Sequence, residues 1–138
     1  MALTDYSEFE KQIEDAEEPK VLPAGTEVKA RIVSVRSGTS DKNGCDWYSP
    51  VFDIPDNPMV MEFSSFFWEL DREKLTAKDM ERGFYKFQQF AKCFNIDYSR
   101  PFDKEDEWPG KEGWVILGVK KSEEYGDQNT VKKYVVGK

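Results

Sequence analysis

The stretch WYSPVFDIPDNPMVMEFSSFFWEL, Trp47 to Leu70, decides how this chain is read. Its two runs, 47–54 and 59–70, are rich in β-branched and aromatic residues. PDNP between them has the Pro, Asp and Asn content of a hairpin connection. A strand points successive side chains to opposite faces, so a hairpin here sorts its rings into two sets. Pairing Ile54 with Met59 sets Phe52 opposite Met61, Val51 opposite Glu62, Tyr48 opposite Ser65 and Trp47 opposite Phe66. Met61, Phe63 and Phe67 then share an apolar face with Phe52 and Ile54, the expected core. Glu62 and Ser64 mark the other face as solvent-facing, and that face also carries Trp47, Phe66 and Trp68. Either these three rings meet a ligand, or a second layer or the N-terminal arm covers them. Pro50 within the first run predicts an edge or bulge position.

Outward from this hairpin the pattern stays mostly β. EVKARIVSVRSG (27–38) alternates Val28, Ala30 and Ile32 with Lys29 and Arg31. Its phase then slips to Val33 and Val35, which predicts a β-bulge or strong bend. TAKDMERGFYKFQQFAKCFNI (76–96) predicts a helix, with Thr76 and Asp79 at capping-box-like spacing. Met80, Phe84, Phe87, Ala91 and Phe94 form its apolar stripe. Phe84, Phe87 and Phe94 are expected to pack it across one end of a five-strand barrel. GWVILGVKK (113–121) and TVKKYVV (130–136) read as two more strands, joined by the polar tip SEEYGDQN. TDYSEFEKQIEDAEEP (4–19) predicts a short helix or partly ordered arm, closed by the turn signal LPAG. The order is β-β-β-α-β-β: an acidic arm over 1–22, then a domain over 23–138.

The chain has 138 residues, which suits one domain with one core. No apolar run approaches the roughly 18 residues that span a bilayer, and MALTDYSEFEKQ lacks the pattern of a secretory signal. Absence of histidine excludes His-based catalysis and His-ligated metals. Cys45 and Cys93 have no metal-ligand spacing, so free thiols in a reducing cytoplasm are expected, with no cofactor. The net charge of −7 taken alone argues against a nucleic-acid partner. That charge is uneven, however. Residues 1–25 hold two lysines against seven acids, whereas 111–138 hold six lysines against four. Strand alternation turns Lys29, Arg31 and Arg36 outward. The last two strands add Lys120, Lys121, Lys132 and Lys133, with Tyr125 and Tyr134 nearby. Rings for base stacking, at about 1–3 kcal/mol per base, together with cations for phosphate are what single-stranded nucleic-acid binding requires.

Five strands with a helix between the third and fourth is the order of the OB-fold, whose strand 2–3 face binds oligonucleotides. The opening VLPAGTEVKARIVSV (21–35), the aromatic second and third strands, the helix and the final strand pair resemble phage-encoded single-stranded DNA-binding proteins, over roughly residues 21–136. The resemblance implies an all-β fold with one helix, a five-stranded OB-fold barrel. It implies a non-enzymatic protein that binds single-stranded DNA without sequence specificity, in the host cytoplasm, supporting phage replication or recombination. Trp47, Phe66 and Trp68 would stack on bases. Lys29, Arg31, Arg36, Lys120, Lys121, Lys132 and Lys133 would contact phosphate, with Tyr125 and Tyr134 beside them. The implied partners are single-stranded DNA and replication or recombination proteins, with no membrane and with self-association left open.

Two other classes compete with this reading. Pro55-Asp56 followed by Glu62 has the beginnings of a metal-dependent nuclease layout. Ser64 stands where that layout needs lysine, and Asp56 falls in a turn. A protein-interaction module, or an acidic DNA-mimic inhibitor of a host protein, suits the net charge. It does not suit the outward cations.

Overall fold

The computed structural model describes residues 2–137. A 3-10 turn at Ser7–Phe9 leads into a short helix α1 (Glu10–Glu14), and neither buries any residue. Six strands follow: β1 (Glu27–Thr39), β2 (Asp46–Asp53), β3 (Phe63–Ser64), β4 (Phe67–Trp68), β5 (Glu112–Lys120) and β6 (Gln128–Tyr134). Helices α2 (Ala77–Phe94) and α3 (Lys104–Glu107) stand between β4 and β5. The strands make one open antiparallel sheet in the order β3-β2-β1-β5-β6, with β4 also on β2. The expected five strands are thus six, and the main helix follows the fourth strand rather than the third. β3 and β6, at the two ends of the sheet, come close to each other. No ladder joins them among the described residues.

The bulge in β1 lies where the phase slip puts it. Pairing with β2 jumps between Ile32 and Ser34, leaving Val33 as the extra residue. The bend lets one strand serve two neighbours. Residues 27–31 pair with β5, and residues 31–39 pair with β2. Ala30 and Ile32 point into the core, and Val35 packs against it.

The run 59–70 does not form one strand, and Pro50 explains why. In the observed register Pro50 lies opposite Ser65, where it has no N–H to give the ladder. The Ser49 hydroxyl donates to the Ser65 carbonyl instead, at 2.7 Å, while the Ser65 N–H donates to the Pro50 carbonyl at 3.2 Å. β3 and β4 flank this interruption. Their partners are Val51 with Ser64, Phe52 with Phe63, Trp47 with Trp68 and Tyr48 with Phe67. That register is two residues from the one expected across PDNP. The cause is non-local. Lys20 bridges to Val60, with its N–H on the Met59 carbonyl at 2.7 Å and its carbonyl taking the Met61 N–H at 2.8 Å. Residues 54–62 therefore form a loop held by the arm's root, and Met59 is exposed rather than opposite Ile54. A two-residue shift leaves the side chains of β2, β3 and β4 on their expected faces.

Helix α2 begins at Thr76, whose hydroxyl accepts the Asp79 N–H at 3.1 Å. It ends at Asn95 in the left-handed region, φ 57°. Its buried line is Met80, Phe90, Ala91 and Phe94. The expected contacts hold at Phe87, which packs against the core, and at Phe94, while Phe84 is corrected: it is 42% exposed. Phe90, three residues on from Phe87 and four before Phe94, takes the central place. Its ring meets Phe67 at 5.1 Å, Trp108 at 5.1 Å and Tyr134 at 5.5 Å. Phe94 stacks on Phe52 at 5.4 Å. The aromatic inner face of β2, β3 and β4 is thus closed by α2 and by Trp108.

Candidate nucleic-acid interface

On the outer face of the same strands, Trp47, Phe66 and Trp68 meet. Phe66 stacks on Trp47 at 5.7 Å and 29°, and meets Trp68 edge-on at 4.9 Å and 90°. Phe66 is 44% exposed, while the two indoles are half-buried. Gly38, opposite Trp47 in the ladder, gives the indole its seat. A Cβ there would come within 2.8 Å of the Trp47 ring. The arm does not cover these rings, since nothing in its helical part is buried.

Phe66 also stands at the edge of a groove of about 490 Å³ between the β3–β4 segment and β6. Arg36, Lys86 and Lys120 bring three cations to this groove, and Glu62 is the one acid in its lining. Arg36 reaches it because it lies beside Ser49, on the outer face, after the β1 bulge. Lys120 reaches it from the end of β5, opposite Gln128. Lys86 comes from α2. Its ammonium lies 4.6 Å from the Phe67 ring centroid and donates to the Phe66 carbonyl. Partial burial there lowers the Lys86 pKa, because a desolvated ammonium is disfavoured.

The other expected contacts lie elsewhere. Arg31 is held by Asp53 in a two-pronged pair, Nε to Oδ1 at 3.1 Å and Nη2 to Oδ2 at 2.6 Å. That hydrogen bond raises the Arg31 pKa and leaves its charge locally matched. Lys29 pairs with Glu112 at 3.5 Å. Both sit before the bulge, Lys29 against β5 and Arg31 against the Asp53 end of β2, and neither lines the groove. Lys121, Lys132 and Lys133 are exposed and do not line the groove. Tyr125, 69% exposed, stands in the β5–β6 connection and does not line it either. Tyr134 is a correction of another kind. It is 7% exposed, packed on Phe90 and Phe94, and burial raises its pKa. Pairing between β5 and β6 jumps from Lys133 to Val131, so Lys132 bulges out and Tyr134 turns inward.

A second depression, of about 880 Å³, opens on the other side of Trp47. Asp46, Glu69, Asp71, Asp103 and Glu105 line it, against Arg72 and Lys104. The ring cluster therefore stands between a cationic groove and an acidic one. A polyanion is drawn to the first and repelled by the second. Asp56 and Glu62 form no part of a metal site, and no group of three or more His, Cys, Asp or Glu among the described residues could hold a metal ion. No helix among the described residues is long and apolar enough to cross a membrane.

No protein-family model matches this chain, and no curated protein matches its sequence.

Proposed function

We propose that this protein binds single-stranded DNA without sequence preference, and that its bent sheet is an OB-type barrel left open between β3 and β6. Bases stack on Phe66, Trp47 and Trp68, while Arg36, Lys86 and Lys120 take the phosphates. One observation carries the reading: a pre-arranged ring cluster presents its exposed member, Phe66, to a groove where cations outnumber acids three to one. Binding is non-enzymatic and serves phage DNA replication or recombination in the host cytoplasm. Titration of tryptophan fluorescence with oligo-dT tests this directly. Quenching is expected at low salt. Three phosphate contacts at about −0.7 each give a log K against log salt slope of about −2. Absence of binding at low salt, or equal affinity for duplex, overturns the proposal.

A further inference from the structure

The three outer rings do not face one depression. Phe66 lines the cationic groove, Trp47 lines the acidic depression, and Trp68 lines neither. Trp68 borders instead a pocket of about 230 Å³ between β4 and α2. Phe66 and Lys86 line this pocket as well as the groove, so the two adjoin. Leu70 and Leu75 add apolar wall, and Arg82 adds a second cation. Sites for drug-sized ligands hold about 300–1,000 Å³, so this pocket suits one small flat group. Gly83 belongs to its lining, and a Cβ there would come within 2.7 Å of the Leu70 side chain.

We propose that this pocket takes one base of the bound single strand, stacked on Trp68, with its phosphate on Arg82. The proposal rests on the DNA-binding reading and extends that site from the groove onto α2. A base meets Trp68 where the indole borders a cavity, and that cavity is this pocket rather than the groove. Arg82 and Lys86 stand one helical turn apart and both line it. Residues so spaced have Cβ atoms about 5–6 Å apart, close enough for consecutive phosphates of one strand. Arg82 is in no ion pair among the described residues. Its planar guanidinium suits both phosphate and the face of a ring.

Asp79 is the one acid in the lining. It belongs to the first turn of α2, where a carboxylate is favoured. Its backbone N–H is taken by the Thr76 hydroxyl, and its carboxylate is in no ion pair among the described residues. An ionised carboxylate only accepts hydrogen bonds. Each of the four bases carries an N–H donor on its pairing edge, so an acceptor here excludes none of them. The same charge repels phosphate, which keeps the backbone on the side of Arg82 and Lys86.

Titration of oligo-dT into the wild-type chain and into Arg82→Gln, Gly83→Leu and Lys78→Gln tests the proposal. Arg82→Gln should weaken binding several-fold and make the log K against log salt slope shallower by about 0.7, as for a phosphate contact beyond the three in the groove. Gly83→Leu places a side chain in the pocket and should weaken binding roughly tenfold, as for a lost stack. An oligonucleotide carrying 5-iodouracil should photocrosslink to Trp68 in the wild type and not in Gly83→Leu. Lys78, exposed on α2 one turn before Arg82 and outside the pocket lining, is the control, and Lys78→Gln should change neither affinity nor slope. Circular dichroism should show all three variants folded: Arg82 and Lys78 are exposed, and Leu70, 40% exposed, has room to yield to a residue at position 83. Should Gly83→Leu fail to fold, the wild-type crosslink decides, and its absence at Trp68 overturns the proposal. If the wild type binds oligo-dT and Arg82→Gln and Gly83→Leu bind it equally well, the pocket proposal falls while the groove reading stands. Equal losses from Lys78→Gln and Arg82→Gln also overturn it, because the charges then act only through the general field. A wild type that does not bind oligo-dT ends both.

Discussion

The two faces of the β2–β3–β4 segment carry nearly the same chemistry and end in opposite situations. Inside, Tyr48 stacks on Phe67 at 5.2 Å and 2°, and Phe52 meets Phe63 at 5.5 Å. Outside, Trp47 stacks on Phe66 at 5.7 Å and 29°. Ring-to-ring geometry does not tell these clusters apart. What differs is the cover: α2 and Trp108 close the inner rings, while water reaches the outer ones. An outer cluster already stacked in the free protein loses little side-chain freedom when a flat ligand arrives, which is the advantage of preorganisation.

The largest effects should come from making each face behave as the other. Phe63→Ala removes a ring that is 4% exposed and should lower stability by about 3–5 kcal/mol in urea unfolding. Trp68→Ala removes only a half-buried ring, so it should cost clearly less stability than Phe63→Ala while weakening oligo-dT binding by about 1–3 kcal/mol. Were Trp68→Ala to unfold the protein while Phe63→Ala did not, the assignment of faces would be inverted.

The contrast between the faces was legible in the sequence because alternation is a local property. Phe66 and Trp68 share parity, and Phe63 and Phe67 take the other face across the Ser64–Ser65 interval. The β1 bulge was legible too, since Ile32 and Val33 announce it by breaking phase. The register was not, because the arm's Lys20 pulls Val60 out of the hairpin from forty residues away in sequence. Tyr134 misled because nothing local says that Lys132 bulges. Lys86 was missed for a related reason: its place beside Phe66 depends on how α2 docks, and a lysine on a helix carries no signal of that. Arg31 was assigned to phosphate because its partner Asp53 lies across a strand pair.

A smaller effect sharpens the account of the break between β3 and β4. Ser49→Ala removes the hydroxyl that replaces the missing Pro50 N–H at the Ser65 carbonyl. A stability loss of about 1–2 kcal/mol is expected, as for a carbonyl that loses its donor. Hydrogen exchange should quicken in β3 and β4 and leave β1 and β5 unchanged. Uniform quickening would mean that Ser49 supports the whole sheet rather than this interruption.

The smallest effect concerns Lys86, where stability and binding should part. Its ammonium is partly desolvated against Phe67 and the Phe66 carbonyl, and its folded pKa lies below the ordinary 10.5. A lysine depressed in this way holds fewer protons folded than unfolded between its two pKa values. It therefore opposes folding below the folded value, and stability rises as pH climbs from there toward 10.5. Lys86→Met keeps the aliphatic length over Phe67 and removes the charge. Stability at neutral pH should hold or increase, and the alkaline rise attributable to this group should disappear. Binding should move the other way. Losing one of three phosphate contacts should weaken oligo-dT affinity several-fold at low salt and make the salt slope shallower by about 0.7. An unchanged salt slope would remove Lys86 from the phosphate path and leave Arg36 and Lys120 as the cations of the groove.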